Sequence, residues 1–126
     1  MSDKLDRGMQ VRREVLGDAH VKRAGRNATV EDRPFQELIT EGAWGTVWAS
    51  DAITRRERSM VTLGLLAALG NFEELELHLN ACYRTGTSKS DVMEVFQHVA
   101  IYAGVPRANH AIKIAKSVWQ THATDR

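Results

Sequence analysis

A chain of 126 residues, 43% of them hydrophobic and 26% charged, is long enough to close one core and too short for two independent ones. Its formal net charge of +1 excludes both a broad basic field for nucleic acid and an acidic interaction tail. Cys82 is the only cysteine, which excludes an intrachain disulfide, a CxxC couple and a cysteine-based zinc site.

The opening stretch, MSDKLDRGMQVRR, is charged and has no apolar signal core. A first helix is expected from about Lys4 to Leu16, stopped by Gly17. A short second helix from Asp18 fades into a loop over Gly25–Arg33, and Pro34 opens a third that places Phe35, Leu38 and Ile39 on one face until Gly42 ends it. Ala43 to Trp48 reads as one further turn, with Trp44 and Trp48 at i,i+4; two aromatics so spaced serve either as core or as a pocket wall.

Thr54 to Glu57 has the spacing of a capping box, and the helix it starts is apolar nearly all round from Met60 onward, which predicts a central, buried element. That apolar run, Met60 to Leu69, is far short of the ~20 residues that span a bilayer. Asn71 and Glu74 repeat the capping spacing ahead of the next helix, which Gly86 stops. Ser88 and Asp91 start another, with Val92, Val95, Phe96, Val99 and Tyr102 inward. Pro106 opens the last, where Ala108, Ala111, Ile112, Ala115, Val118 and Trp119 form one stripe. Sustained strand alternation is absent. The expectation is an all-α single domain over 1–126 with about six to eight helices.

Two constellations point to chemistry. On a wheel of residues 71–84, Glu73, Glu76, Asn80 and Arg84 form a polar arc, and the remainder is apolar apart from His78 near its middle and Glu74 beside it. His78 is either a hydrogen-bonded core histidine or a proton donor; Glu74 is either a helix cap or the carboxylate that fixes the imidazole tautomer. The second constellation is the stripe Arg55, Arg58, Ser59 and Thr62 at i, i+3, i+4, i+7. Arg55 and Arg56 suit a solvated first turn, whereas Arg58 lies deeper, and its fork matches a carboxylate bidentately. The other histidines, His20, His98, His110 and His122, have no metal-ligand spacing, so no metal is expected. Cys82, one turn beyond His78, reads as a small buried hydrophobe.

The stretches MQVRREVLGDAHVKRA (9–24), FQELITEGAWGTVW (35–48), EELELHLNA (73–81) and AIYAGVPRANHA (100–111) closely resemble the γ-carboxymuconolactone decarboxylases, nearly end to end and in order. The resemblance implies an all-helical alkylhydroperoxidase-D-like fold assembled as a ring-like homo-hexamer. It implies cofactor-free decarboxylation of a dicarboxylate lactone, γ-carboxymuconolactone, to β-ketoadipate enol-lactone in the protocatechuate branch of the β-ketoadipate pathway. The wider superfamily includes peroxidases with a CxxC, a histidine four residues after its second cysteine, and an upstream glutamate. Those cysteine positions hold Asn71 and Glu74 here, and the glutamate position holds Ser59, so thiol-based peroxide reduction is disfavoured.

On this reading His78 and Glu74 are the catalytic pair, Arg58 and Arg55 hold substrate carboxylate, and Trp44 and Trp48 close the apolar wall. No cofactor is expected, and neither nucleic acid nor a membrane is an expected partner; the expected compartment is the cytoplasm. The rival readings are a peroxide or disulfide reductase and a non-catalytic helical oligomer that binds an acidic metabolite.

Overall fold

The computed structural model describes residues 2–124, and among them the secondary structure is helical throughout, with no strand. Seven α-helices and one π-helical segment follow one another: α1 (Asp3–Leu16), α2 (Asp18–Asn27), α3 (Arg33–Ile39), the π segment (Thr40–Val47), α4 (Arg55–Leu69), α5 (Phe72–Thr85), α6 (Lys89–Tyr102) and α7 (Val105–Thr124). The chain divides into two compact units between Arg55 and Arg56. No helix is long and apolar enough to cross a membrane among the described residues.

In the first unit α1 stops where expected, at Gly17, whose φ of 91° disfavours a residue with a side chain. Three features differ from the sequence reading. α2 continues through Gly25 to Asn27 rather than fading there. α3 does not end at Gly42: its last turn passes directly into the π segment, where the Trp48 N–H reaches back five residues to the Ala43 carbonyl at 2.8 Å. Phe35 and Leu38 are exposed rather than forming a buried face.

The π segment makes a close backbone approach to α1. A Cβ added to Gly8 would overlap the Thr40 carbonyl oxygen and lie 2.9 Å from the Gly45 nitrogen, and one on Gly45 would meet the Lys4 carbonyl. α1 therefore packs against this segment backbone to backbone, which only glycine permits.

The second unit is more regular. Its core is Leu63 and Ala67 from α4, Leu75, Leu79 and Cys82 from α5, Val92, Phe96 and Val99 from α6, and Ala108, Ala111, Ala115 and Val118 from α7. α5 ends at Gly86 in the left-handed region, and α6 opens on a complete capping box: the Asp91 N–H donates to Ser88 Oγ at 3.0 Å while the Ser88 N–H donates to Asp91 Oδ2 at 2.9 Å.

Two expectations fail here. Tyr102 is 80% exposed, because α6 ends at that residue and its last turn extends beyond the core. α4 is not buried all round: Leu63 and Ala67 are inside, but Val61, Leu65 (58% exposed) and Leu69 face outward. With α6, Val61 and Leu65 border a groove of about 510 Å³ along Met60, Gly64, Val95 and Tyr102.

Candidate active site

α5 places His78 between the buried Leu75, Leu79 and Cys82, so that its side chain is only 7% exposed. An imidazole so enclosed keeps its orientation, as a proton donor must. One turn on, the Cys82 thiol donates to the His78 carbonyl at 3.3 Å. Burial pushes that thiol up to about 11, opposed by its hydrogen bond with Thr87, so it is protonated at neutral pH. A protonated, buried thiol is a poor nucleophile, which agrees with the missing CxxC.

Glu74 does not share this burial. It lies in the first turn of α5 and is exposed, and Asn71 at the N-cap makes no side-chain capping hydrogen bond, so the capping box expected from Asn71 and Glu74 does not form. The picture of a carboxylate and an imidazole both stacked on a buried face is corrected: only the imidazole is buried. Phe72 and Leu75 on either side of it meet the core, while Glu74 itself is exposed.

The polar stripe of α4 separates into different roles. Arg55, in the first unit, pairs with Glu14 through Nη2 and Oε1 at 2.8 Å, and this hydrogen bond holds the Glu14 carboxyl below its usual range. Arg56, in the second unit, grips Asp91 with Nε at 2.8 Å and Nη2 at 2.6 Å. Arg58 is half-buried, and its carbonyl accepts the Thr62 hydroxyl at 2.8 Å, so Thr62 spends its proton on its own helix. Ser59 faces fully inward, where its hydroxyl donates to Thr85 Oγ1 at 2.8 Å, and Thr85 and Thr87 share a hydrogen bond of 2.9 Å.

This buried chain of hydroxyls links α4 to the end of α5. The sequence reading put Ser59 on a polar stripe with Arg55, Arg58 and Thr62, yet Ser59, Leu63 and Ala67 are spaced i, i+4, i+8, which was the available signal of its inward face.

Trp44 and Trp48 belong to the first unit. The π segment stacks their rings at 5.3 Å between centroids and 30° between planes, and both are buried. Arg12 was not singled out from sequence, although it stands four residues from Gly8 and from Leu16, both buried. Of the proposed site residues, then, Trp44, Trp48 and Arg55 lie in the first unit and Arg58, Glu74 and His78 in the second. Among the described residues no group of three or more His, Cys, Asp and Glu side chains is placed to hold a metal ion.

A 4-carboxymuconolactone decarboxylase of Acinetobacter baylyi is 40% identical over 117 residues, covering 93% of this chain and 87% of that protein. A nitrosuccinic acid decarboxylase of Metarhizium robertsii is 41% identical over 112 residues, 89% of this chain and 78% of that protein. A 4-carboxymuconolactone decarboxylase sequence of Pseudomonas putida is 52% identical over 42 residues, 33% of this chain and 88% of that sequence. The family profile described as the Carboxymuconolactone decarboxylase family matches residues 33–117, and the chain belongs to that family.

Proposed function

We propose that this chain decarboxylates γ-carboxymuconolactone to β-ketoadipate enol-lactone without a cofactor, in the protocatechuate branch of the β-ketoadipate pathway and in the cytoplasm. The observation that carries the site assignment is the enclosed imidazole of His78 on α5. The family match over 33–117 crosses the division between the units, which supports treating 1–126 as one functional domain.

The substrate supplies its own electron sink. Its leaving carboxylate is attached to a ring carbon flanking a C=C conjugated to the lactone carbonyl. When that C–C bond breaks, carbon dioxide departs and the electron pair spreads through a dienolate onto the lactone oxygen. The protein has three tasks: to hold a dianion, to stabilise the developing oxyanion, and to protonate the ring carbon α to the carbonyl. His78 donates to the oxyanion or delivers the proton, which water then restores. Glu74, one turn earlier, orients the imidazole. Arg58 holds a substrate carboxylate. Arg55, which Glu14 holds, and the stacked Trp44 and Trp48 belong to the first unit and are further candidates for a substrate carboxylate and an apolar wall, each checked by its own Ala variant in an assay of carbon dioxide release.

A positioned general acid contributes typically ~10²–10⁴ in rate, so His78→Ala should lower kcat by that factor in an assay of carbon dioxide release. Turnover within about threefold of wild type, with the fold intact by circular dichroism, would remove His78 from the chemistry. Glu74→Gln tests the orienting role separately, through a shifted pH–rate profile.

The nitrosuccinic acid relative supports a second reading. Nitrosuccinate is also a dicarboxylate with an internal sink, since a nitro group beside the leaving carboxylate accepts the electron pair as a nitronate. Running both substrates side by side decides between the readings by their ratio of kcat/KM.

Self-association is part of the proposal. The outward apolar face of α4 with its groove against α6 is the surface a second copy would cover, and the assembly implied by the resemblance is a homo-hexamer. Light scattering of wild type and Leu65→Glu checks this, the variant being expected to fall apart into smaller species.

A further inference from the structure

We propose that the buried hydroxyls of Ser59, Thr85 and Thr87 are positioning residues for His78, holding it in the orientation that its proton transfer requires; the inference rests on the role proposed for His78 above. Among the described residues the buried polar side chains of the second unit are Ser59, Thr85, Thr87 and His78. Three of the four are hydrogen-bonded in one chain, beside a core that is otherwise apolar. A buried hydroxyl adds little net stability over an apolar side chain of the same shape, and it costs stability when a partner is lost. Cohesion alone is therefore a poor reason to place three of them here.

The chain has a direction, and it ends at His78. The Ser59 hydroxyl donates to Thr85 Oγ1 at 2.8 Å. Thr87 bonds the Cys82 sulfur and works against the effect of burial on that thiol, as a donated proton does. The proton of Thr85 is then the one shared with Thr87 Oγ1 at 2.9 Å. Cys82 in turn donates to the His78 carbonyl at 3.3 Å. Four hydrogen bonds thus run one way: from α4 to the end of α5, through the turn after it, and back along α5 to the backbone of His78.

Direction matters because apolar contacts lack it. Leu75 and Leu79 hold α5 in the core but tolerate a small rotation of the helix about its axis, which a run of hydrogen bonds resists. A rotation of roughly 10° moves a side chain at the ~6 Å helix radius by about 1 Å. A misplacement of about 1 Å costs up to ~10² in rate at a reacting group. Ser59, Thr85 and Thr87 are enclosed, and their effect on the chemistry passes through His78.

The test reads the imidazole directly, by NMR of the full chain labelled with 13C and 15N at histidine, the His78 ring signals being identified by their loss in His78→Gln. Thr85→Val keeps the side-chain shape and removes the hydroxyl. It should shift or split the His78 ring signals and lower kcat for carbon dioxide release about tenfold per folded molecule, with KM changed less than threefold. Thr85→Ser restores the hydroxyl and should return both readouts to wild type. Val118→Ala truncates the core away from the chain and is the control: lost stability lowers the folded fraction, but the ring signals and kcat per folded molecule should stay as they are. Ser59→Ala deletes only the first donor and repeats the test if Thr85→Val does not fold. Unmoved ring signals, or a kcat within about threefold of wild type, would overturn the proposal, as would an equal effect of Val118→Ala. If the wild type releases no carbon dioxide from γ-carboxymuconolactone, the decarboxylation reading fails on its own, and the ring signals alone decide whether the chain positions His78.

Discussion

The two units close their interiors by opposite means. The second fills its core with side chains: Phe96, Leu63, Leu75 and Leu79 are wholly buried and set the spacing of four helices. The first brings α1 onto the π segment by leaving side chains out, at Gly8 and Gly45. In one case the helices are held apart by what is present; in the other they meet because something is missing. A substitution that removes atoms should therefore damage the second unit, and one that adds a single carbon should damage the first.

The largest expected effect is Phe96→Ala, which leaves a cavity among the α6 and α7 residues of the core and should cost about 3–5 kcal/mol in urea unfolding at fixed protein concentration. Next comes Gly8→Ala. Its new Cβ meets the backbone of Thr40 and Gly45, which cannot rotate away as a side chain would, and the expected cost is about 1–3 kcal/mol. Gly42→Ala is the control, since a Cβ there meets nothing within 4 Å and the change removes chain entropy from the unfolded state. If Gly8→Ala were as harmless as Gly42→Ala, the contrast between filled and vacant packing would be lost.

The same contrast explains what the sequence disclosed. Side-chain packing leaves a periodic trace, so α4 to α7, their stop at Gly86 and the Ser88 box were all legible, and His78 was placed inward by the apolar residues around it. Packing through absent side chains leaves no such trace: Gly42 resembled a helix stop, and nothing in the pattern announced the π segment. Periodicity also fixes the phase of an apolar face without saying whether anything covers it, which is why Leu65 and Leu38 face outward in the chain. Helix ends are a further limit. Tyr102 has the right phase for the interior and lies in a terminal turn beyond it, whereas Glu74 is exposed in a first turn whose Phe72 still reaches the core.

The smallest predicted effect compares the units at their division, where adjacent arginines are each tied to a carboxylate of their own unit. Arg56 holds Asp91 by two hydrogen bonds, and the same carboxylate completes the capping box; Arg55 holds Glu14 by one contact, and Glu14 is the more exposed of the two carboxylates. Both carboxyls are kept below their ordinary range, Asp91 first by the Arg56 hydrogen bond and Glu14 first by that of Arg55. A carboxyl depressed in the folded state binds fewer protons there than in the unfolded chain. Its stabilisation is therefore complete above the unfolded pKa of about 4 and is lost as pH falls toward the folded value. Asp91→Asn and Glu14→Gln keep an oxygen acceptor and remove the charge. Each should lower Tm at pH 7, Asp91→Asn by more, and each difference from wild type should narrow as the pH is taken from 5 toward 2. Added salt should shrink the Glu14 difference further, because that carboxylate is the more open to solvent. A Tm difference for Asp91→Asn that stayed constant down to pH 2 would mean that the carboxylate acts there only as a neutral acceptor in the capping box, and that its grip on Arg56 adds nothing to the fold.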